Sequence, residues 1–245
     1  MNIGNTGFSN LPEIVKNLMI INGLFFLGTL CLGSYEIDMY KLFSLHQFQS
    51  QDFMPHQLIS HIFMHGNFTH LLFNMFSLWM FGRILENMWG GKRFLIYYMI
   101  TGFGAAIIHI LFVQYQIFEI SSIMSSNQLE SVNQNSTIVN NVKVTTTFEM
   151  KKLYNLINTP TVGASGAVYG LLLAFGMLFP NSLLYLYFAI PVKAKYFVMG
   201  LGALALFSGI SNNPTDNIAH FAHLGGMIFG FLLLKYWKKK GDIYF

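Results

Sequence analysis

Cysteine is almost missing: Cys31 is the single one in 245 residues, so no intrachain disulfide can form and its thiol reads as a packing group. Charge is scarce too, at 10% of residues, where an ordinary soluble domain carries roughly 25%. The His-Glu-x-x-His pattern of helical metalloproteases is absent, and so is any basic stripe interleaved with aromatics. The net charge of +4 therefore does not point to nucleic acid; lysines and arginines flanking apolar segments have a topological explanation. What fills the chain is apolar: 53% hydrophobic and 16% aromatic residues, with a mean hydropathy of +0.48. The solvent for such a chain is a bilayer.

Stretches approaching the roughly 20 apolar residues that cross a membrane lie at about 18–35, 68–88, 94–117, 161–179, 195–211 and 217–237. The fifth is short, and the apolar run Leu183 to Val192 before it is expected to lie along the interface. The first segment follows one basic residue, Lys16, and lacks a clear small-residue cleavage site before Glu36 and Asp38. It is expected to be a retained span rather than a removable signal peptide, with no separate soluble domain ahead of it. With a cytoplasmic amino terminus, ten of the 14 Lys and Arg residues fall inside and only Lys41, Lys143, Lys151 and Lys152 outside. That asymmetry follows the positive-inside rule. Six spans then return the carboxyl terminus to the cytoplasm, and the absence of a targeting segment fits a bacterial plasma (inner) membrane.

The chain reads as one membrane domain over residues 1–245, with a polar outer-loop insertion at about 119–159 rich in Ser, Asn, Thr and Gln. This insertion is expected to bury little apolar surface and to be poorly ordered. Asn135-Ser136-Thr137 within it fits the short glycosylation sequon.

Spans two, four and six run in the same direction, so the residues near their starts share the outer half of the membrane. His70 and Asn74 lie early in span two, Ser165 early in span four, and His220 and His223 early in span six. Polar groups in hydrocarbon are costly and mark functional sites. From a helix start near Asn217, His223 is expected about 9 Å deep. A serine hydroxyl becomes nucleophilic when a neighbouring imidazole takes its proton, and the same imidazole can then protonate a leaving amine. His223 is the candidate base and Ser165 the candidate nucleophile. His70 and Asn74, four residues apart on one helix face, and the backbone N–H of Ser165 at a helix start are candidate donors to an oxyanion. Gly163 and Gly166 permit close approach there. The alternatives at this point are small-residue helix packing around Ser165, interhelical hydrogen bonding by His70 and Asn74, and metal binding by the histidines.

Taken together these residues resemble the rhomboid intramembrane serine proteases, over roughly Leu18 to Tyr236 with the insertion left unaccounted for. Gly163-Ala164-Ser165-Gly166 resembles the family's nucleophile motif. Ala219-His220-Phe221-Ala222-His223-Leu224-Gly225-Gly226, followed by Gly230, resembles its last-span motif, in which the second histidine is the base. His70-Leu71-Leu72-Phe73-Asn74 resembles its His-x-x-x-Asn motif of the oxyanion site, and Tyr169 matches a tyrosine that packs on the catalytic imidazole.

The resemblance implies an all-α, six-transmembrane-helix bundle and a Ser-His dyad of Ser165 and His223 without a third acid. It implies no metal or organic cofactor, and as substrates other membrane proteins whose transmembrane helices are locally unstable. Asp216 is then a capping or solvated residue, and Gly226 and Gly230 let span six pack on span four. Arg83 and Glu86 pair with each other or brace the following loop. One departure stands out: where the family commonly has Trp-Arg after span one, this chain has His56-Gln57, which puts the anchoring of that loop in question. His61 and His65 match histidines that tie the loop to the bundle; His109 has no assigned role beyond packing. The competing reading is a catalytically inactive rhomboid-like protein that binds membrane clients. A transporter is disfavoured by the lack of a clear inverted repeat and of an intramembrane carboxylate suited to ion coupling.

Overall fold

The structure is a computed structural model and describes residues 11–134, 138–139, 142–143, 146–186, 189–211 and 219–241. Asp216, Asn217 and the sequon Asn135-Ser136-Thr137 lie outside the described residues.

The first long helix, α1 (Glu13–Leu32), begins ahead of the expected span because its cap comes from elsewhere in the chain. Pro12 at the N-cap provides no side-chain bond. Instead the buried carboxylate of Glu86 accepts from the main-chain N–H groups of Ile14 at 2.9 Å and Val15 at 2.8 Å. Two of the four donors that a helix start leaves open are thereby satisfied, by a negative charge at the positive end of the helix dipole.

A folded loop follows, with α2 (Met39–Phe43) and α3 (Gln57–Ser60). Span two is a continuous rod made of α4 (Phe68–Ser77), a π turn at Leu78–Gly82 and α5 (Arg83–Trp89). Asn67 starts it by accepting from the N–H of His70 at 2.8 Å, and Gly90 at φ 78° ends it. The next helix, α6 (Gly91–Ser122), has 32 residues and so runs about 48 Å, well beyond a hydrocarbon layer of roughly 30 Å.

Beyond α6 come α7 (Ser126–Gln134), the antiparallel pair β1 (Ile138–Val139) and β2 (Val142–Lys143), and α8 (Phe148–Asn158). The expectation that this insertion buries little apolar surface fails. Val132 of α7 and Met150, Leu153 and Ile157 of α8 pack with Val113 and Ile117 of α6 in a buried cluster of their own. The spacing of Met150, Leu153 and Ile157 places them on one helix face, which is enough to dock α8 on α6.

Span four is α9 (Ser165–Leu178), followed by the antiparallel pair β3 (Leu183–Leu186) and β4 (Ile190–Lys193), then α10 (Ala194–Ser211) and α11 (His220–Lys239). The described residues of the run Leu183 to Val192 are thus mostly paired antiparallel strand, with Leu183, Tyr185 and Ile190 exposed.

By length and apolarity α1, α6 and α10 are able to cross a membrane, and α9 is a shorter apolar helix. With the rod of span two and with α11 they make an all-α membrane bundle. Its centre is α6, α9 and α11, which pack most extensively on one another, while α1 and α10 turn Leu24, Leu27, Leu30, Leu204, Phe207 and Ile210 outward. Leu78, Leu85, Phe94, Tyr97, Leu171 and Leu234 are fully buried between the helices. Because lipid tails are as apolar as leucine, contact between these helices depends on close packing. The carbonyl of Gly166 occupies the place a Cβ on Gly226 would take, so α9 and α11 meet backbone to backbone. Gly230, in contrast to the expectation, faces Tyr97 of α6 and not span four.

Candidate active site

The stretch from Thr161 to Gly163 is not helical, because two other segments hold its main chain. Thr161 pairs with Leu45 in both directions, at 2.8 and 2.9 Å, and Gly163 donates to the carbonyl of His61 at 3.0 Å. Gly163 has φ 125°, a region strained for any residue with a Cβ. A Cβ there would also lie 2.7 Å from Cε1 of His70 and 3.7 Å from Oγ of Ser165. One vacant position therefore has the imidazole of span two and the hydroxyl of span four as neighbours. The chain turns into α9 immediately after, so Ser165 is the first residue of that helix, where a backbone N–H has no partner within the helix.

The described part of α11 begins at His220. His223 is therefore in its first turn, higher in the span than a start at Asn217 implies. Its Nε2 lies 2.8 Å from Oγ of Ser165. Two helix starts in contact require the chain between them to recross the membrane, and α10 is the helix that does so. Tyr169, one turn beyond Ser165, stacks on the His223 ring with centroids 4.0 Å apart and planes 6° apart. That stacking fixes the plane of the imidazole. His220 stands edge-on to His223, with ring centroids 6.3 Å apart.

Asn74 is buried and donates one amide N–H to the carbonyl of His70 at 2.8 Å, leaving its other N–H for a further acceptor. The ring of His65 meets that of His70 edge to face at 5.1 Å. In the loop after α1, burial pushes His61 down to about 4, and burial together with the neighbouring His70 does the same for His65. Both are therefore neutral at pH 7, which suits His61 Nδ1 for its 2.9 Å bond to the carbonyl of Gln57.

The His56-Gln57 pair answers the question it raised. Gln57 is fully buried and donates to the carbonyls of Asp52 at 2.8 Å and Lys41 at 3.0 Å, while its oxygen accepts from the N–H of His46 at 3.3 Å. His56 Nε2 bonds the carbonyl of Leu42 at 2.8 Å. An uncharged amide thus ties the loop together. His109 also does more than pack, since its Nε2 is 2.8 Å from Oγ1 of Thr161. Arg83 lies over the ring of Trp79 at 5.7 Å, and Glu86 is occupied with α1. These long-range bonds leave no local pattern in sequence; only the polarity of Gln57 and His109 within apolar surroundings hinted at them. Among the described residues no three His, Cys, Asp or Glu side chains stand close enough together to hold a metal ion.

The family model of the Rhomboid domain matches residues 52–239. The chain belongs to the rhomboid family. It is 28% identical over 218 residues to "RHOMBOID-like protein 12, mitochondrial" of Arabidopsis thaliana, a match that takes in 87% of this chain and 55% of the plant protein. To "Putative rhomboid protease YdcA" of Bacillus subtilis (strain 168) it is 30% identical over 179 residues, 72% of this chain and 64% of that one. To "Rhomboid protein 1, mitochondrial" of Saccharomyces cerevisiae it is 27% identical over 176 residues, 71% of this chain and 40% of the yeast protein. The chain thus spans less than two thirds of these curated relatives. This rhomboid is a membrane protein. Its relatives include mitochondrial and bacterial proteins, so kinship alone does not single out a bacterial inner membrane.

Proposed function

We propose that this rhomboid is an intramembrane serine endopeptidase that cuts transmembrane segments of other membrane proteins with a Ser165–His223 dyad. The 2.8 Å approach of Oγ to Nε2 carries the reading. With its ring proton on Nδ1, His223 takes the hydroxyl proton as Ser165 Oγ attacks the scissile carbonyl, forming a tetrahedral oxyanion. His223 then gives the proton to the departing amine, and an acyl-serine remains. Water, deprotonated by the same imidazole, attacks the ester and releases the new carboxyl end and the free hydroxyl. The donors for the oxyanion are the N–H of Ser165, the ring N–H of His70 and the free N–H of Asn74; loss of one such donor typically costs about 2.7 to 4 kcal/mol. Tyr169 supports the imidazole, Gly163 keeps the approach between His70 and Ser165 open, Gly166 lets Ala105 of α6 and the main chain of Ala222 close in on the start of α9, and His220 flanks the imidazole. No third acid, metal or organic cofactor is required.

A helical carbonyl is sheltered by its own turn, so the substrate is a membrane-spanning segment with small or helix-disfavouring residues near the outer surface. Outward movement of α10 is a route for its entry. The ten basic residues assigned to one side support a cytoplasmic position for both termini, in keeping with a bacterial plasma membrane. The test is cleavage of a single-span reporter by the purified protein in proteoliposomes. Ser165→Ala and His223→Ala are each expected to abolish it with the bundle still folded. Full activity in Ser165→Ala would refute the mechanism, and a parent protein that binds the reporter without cutting it would establish the client-binding alternative.

A further inference from the structure

The insertion and the nucleophile segment hang on one stripe of α6. His109, Val113 and Ile117 are each four residues apart, hence on one face of that helix. Val113 and Ile117 hold α8 through Met150, Leu153 and Ile157. His109 holds the next stretch of chain, with Nε2 2.8 Å from Oγ1 of Thr161, four residues ahead of Ser165. Between them α8 closes with a 2.8 Å bond from the N–H of Thr159 to the carbonyl of Asn155, and Pro160 fixes its own φ and offers no donor. Thr161 is thus gripped on its main chain by Leu45 and on its side chain by α6. Either partner can supply the proton: the hydroxyl donates to a bare Nε2 or accepts from Nε2–H.

We propose that His109 and Thr161 are positioning residues for Ser165, with α8 as the brace that keeps them in register. The inference rests on the Ser165–His223 reading and adds to it what sets the nucleophile's place. Main-chain pairing with Leu45 alone leaves Thr161 free to roll about the axis of that short pair. The bond to His109 stops the roll. Without it the displacement passes through Val162 and the permissive Gly163 to Ser165, and a shift of about 1 Å in reacting groups is enough to cost up to roughly a hundredfold in rate.

The test uses the full chain in proteoliposomes and two readouts: the rate at which a fluorophosphonate probe labels Ser165, and kcat and KM on a single-span reporter. Thr161→Val and His109→Leu are each expected to slow labelling and kcat about tenfold, a tenth of that ceiling, with KM unchanged. Thr161→Ser restores the hydroxyl, and His109→Gln an amide of similar reach, so both are expected to stay close to the parent rates. The double variant Thr161→Val/His109→Leu is expected to be no slower than either single, since both remove one bond. Parent rates in Thr161→Val, losses that multiply in the double variant, or Thr161→Ser as slow as Thr161→Val would each overturn the proposal. Where Thr161→Val fails to fold, the Thr161→Ser and His109→Gln pair decides: slow labelling in both overturns it. Cleavage surviving in Ser165→Ala sinks the dyad reading itself, whereas a working dyad with parent rates in Thr161→Val sinks only this one.

Discussion

Glu86, near the end of span two, caps the start of α1 from 72 residues away, with its two carboxylate oxygens on the N–H groups of Ile14 and Val15. Truncation at Glu86→Ala leaves the buried N–H of Val15 and the part-buried N–H of Ile14 without a partner, at a cost of about 1–3 kcal/mol for the first and less for the second. Glu86→Gln keeps one acceptor and is expected to lose roughly half as much. Thermal unfolding in detergent measures both; equal melting temperatures for parent and Glu86→Ala would show that the cap contributes nothing.

Backbone contact between α9 and α11 makes Gly226 intolerant of any side chain. In Gly226→Ala the new methyl falls on the carbonyl of Gly166, and the helices must separate. Overpacking of this kind costs about 1–3 kcal/mol, and the separation lengthens the Ser165–His223 contact. Slower fluorophosphonate labelling together with a lower melting temperature is expected. Gly200→Ala is the control, since a Cβ at that position meets nothing within 4 Å.

The stacked ring of Tyr169 on His223 sets a graded series. Tyr169→Phe keeps the aromatic face and is expected to retain near-parent cleavage. Tyr169→Ala removes a ring contact of about 0.5–1.5 kcal/mol, which corresponds to a loss of roughly two- to tenfold in kcat. Equal activity in the two variants would mean that the imidazole is held by other means.

Stability is expected to fall on acidification. Burial lowers His61 from 6.5 to about 4, so the unfolded chain binds the proton first as pH drops. The neutral folded form keeps its full advantage above pH 6.5, loses it progressively between 6.5 and about 4, and loses nothing further below that. The loss is on the order of 3 kcal/mol at most, at about 1.4 kcal/mol per pH unit. His61→Asn removes the titration, so a flatter profile of melting temperature against pH is expected whatever its absolute stability. An unchanged slope in His61→Asn would contradict the assignment.

The helices were legible because each falls within an apolar stretch, and the meeting of Ser165 with His223 was expected from counting crossings: three parallel descents bring their starts to one depth. The ends of the helices were not. α1 starts at Glu13 because of a carboxylate far along the chain, and Thr161-Val162, apolar enough to extend span four on paper, is drawn into the pair with Leu45. In the insertion, Met150, Leu153 and Ile157 carry a readable period, but the polar residues around them masked a face that only α6 could cover. Gln57 and His109 read as isolated polar residues; their partners are main-chain carbonyls and a threonine hydroxyl, groups that every sequence contains. The placement of Gly230 against Tyr97 turned on how far α11 rotates, which small residues permit but do not specify.

The widened turn at Leu78–Gly82 divides span two into separately aimed halves. A π turn accommodates one residue more than the α-helical count, so everything beyond it is swung by about 100° relative to an unbroken helix. The upper half thereby points His70 at Gly163 while the lower half delivers Glu86 to α1. Tightening that turn to the α-helical count with every residue kept would rotate Glu86 away from the amides it serves without disturbing His70, whereas deleting one residue within Leu78–Gly82 would absorb the surplus and leave both side chains aimed as they are.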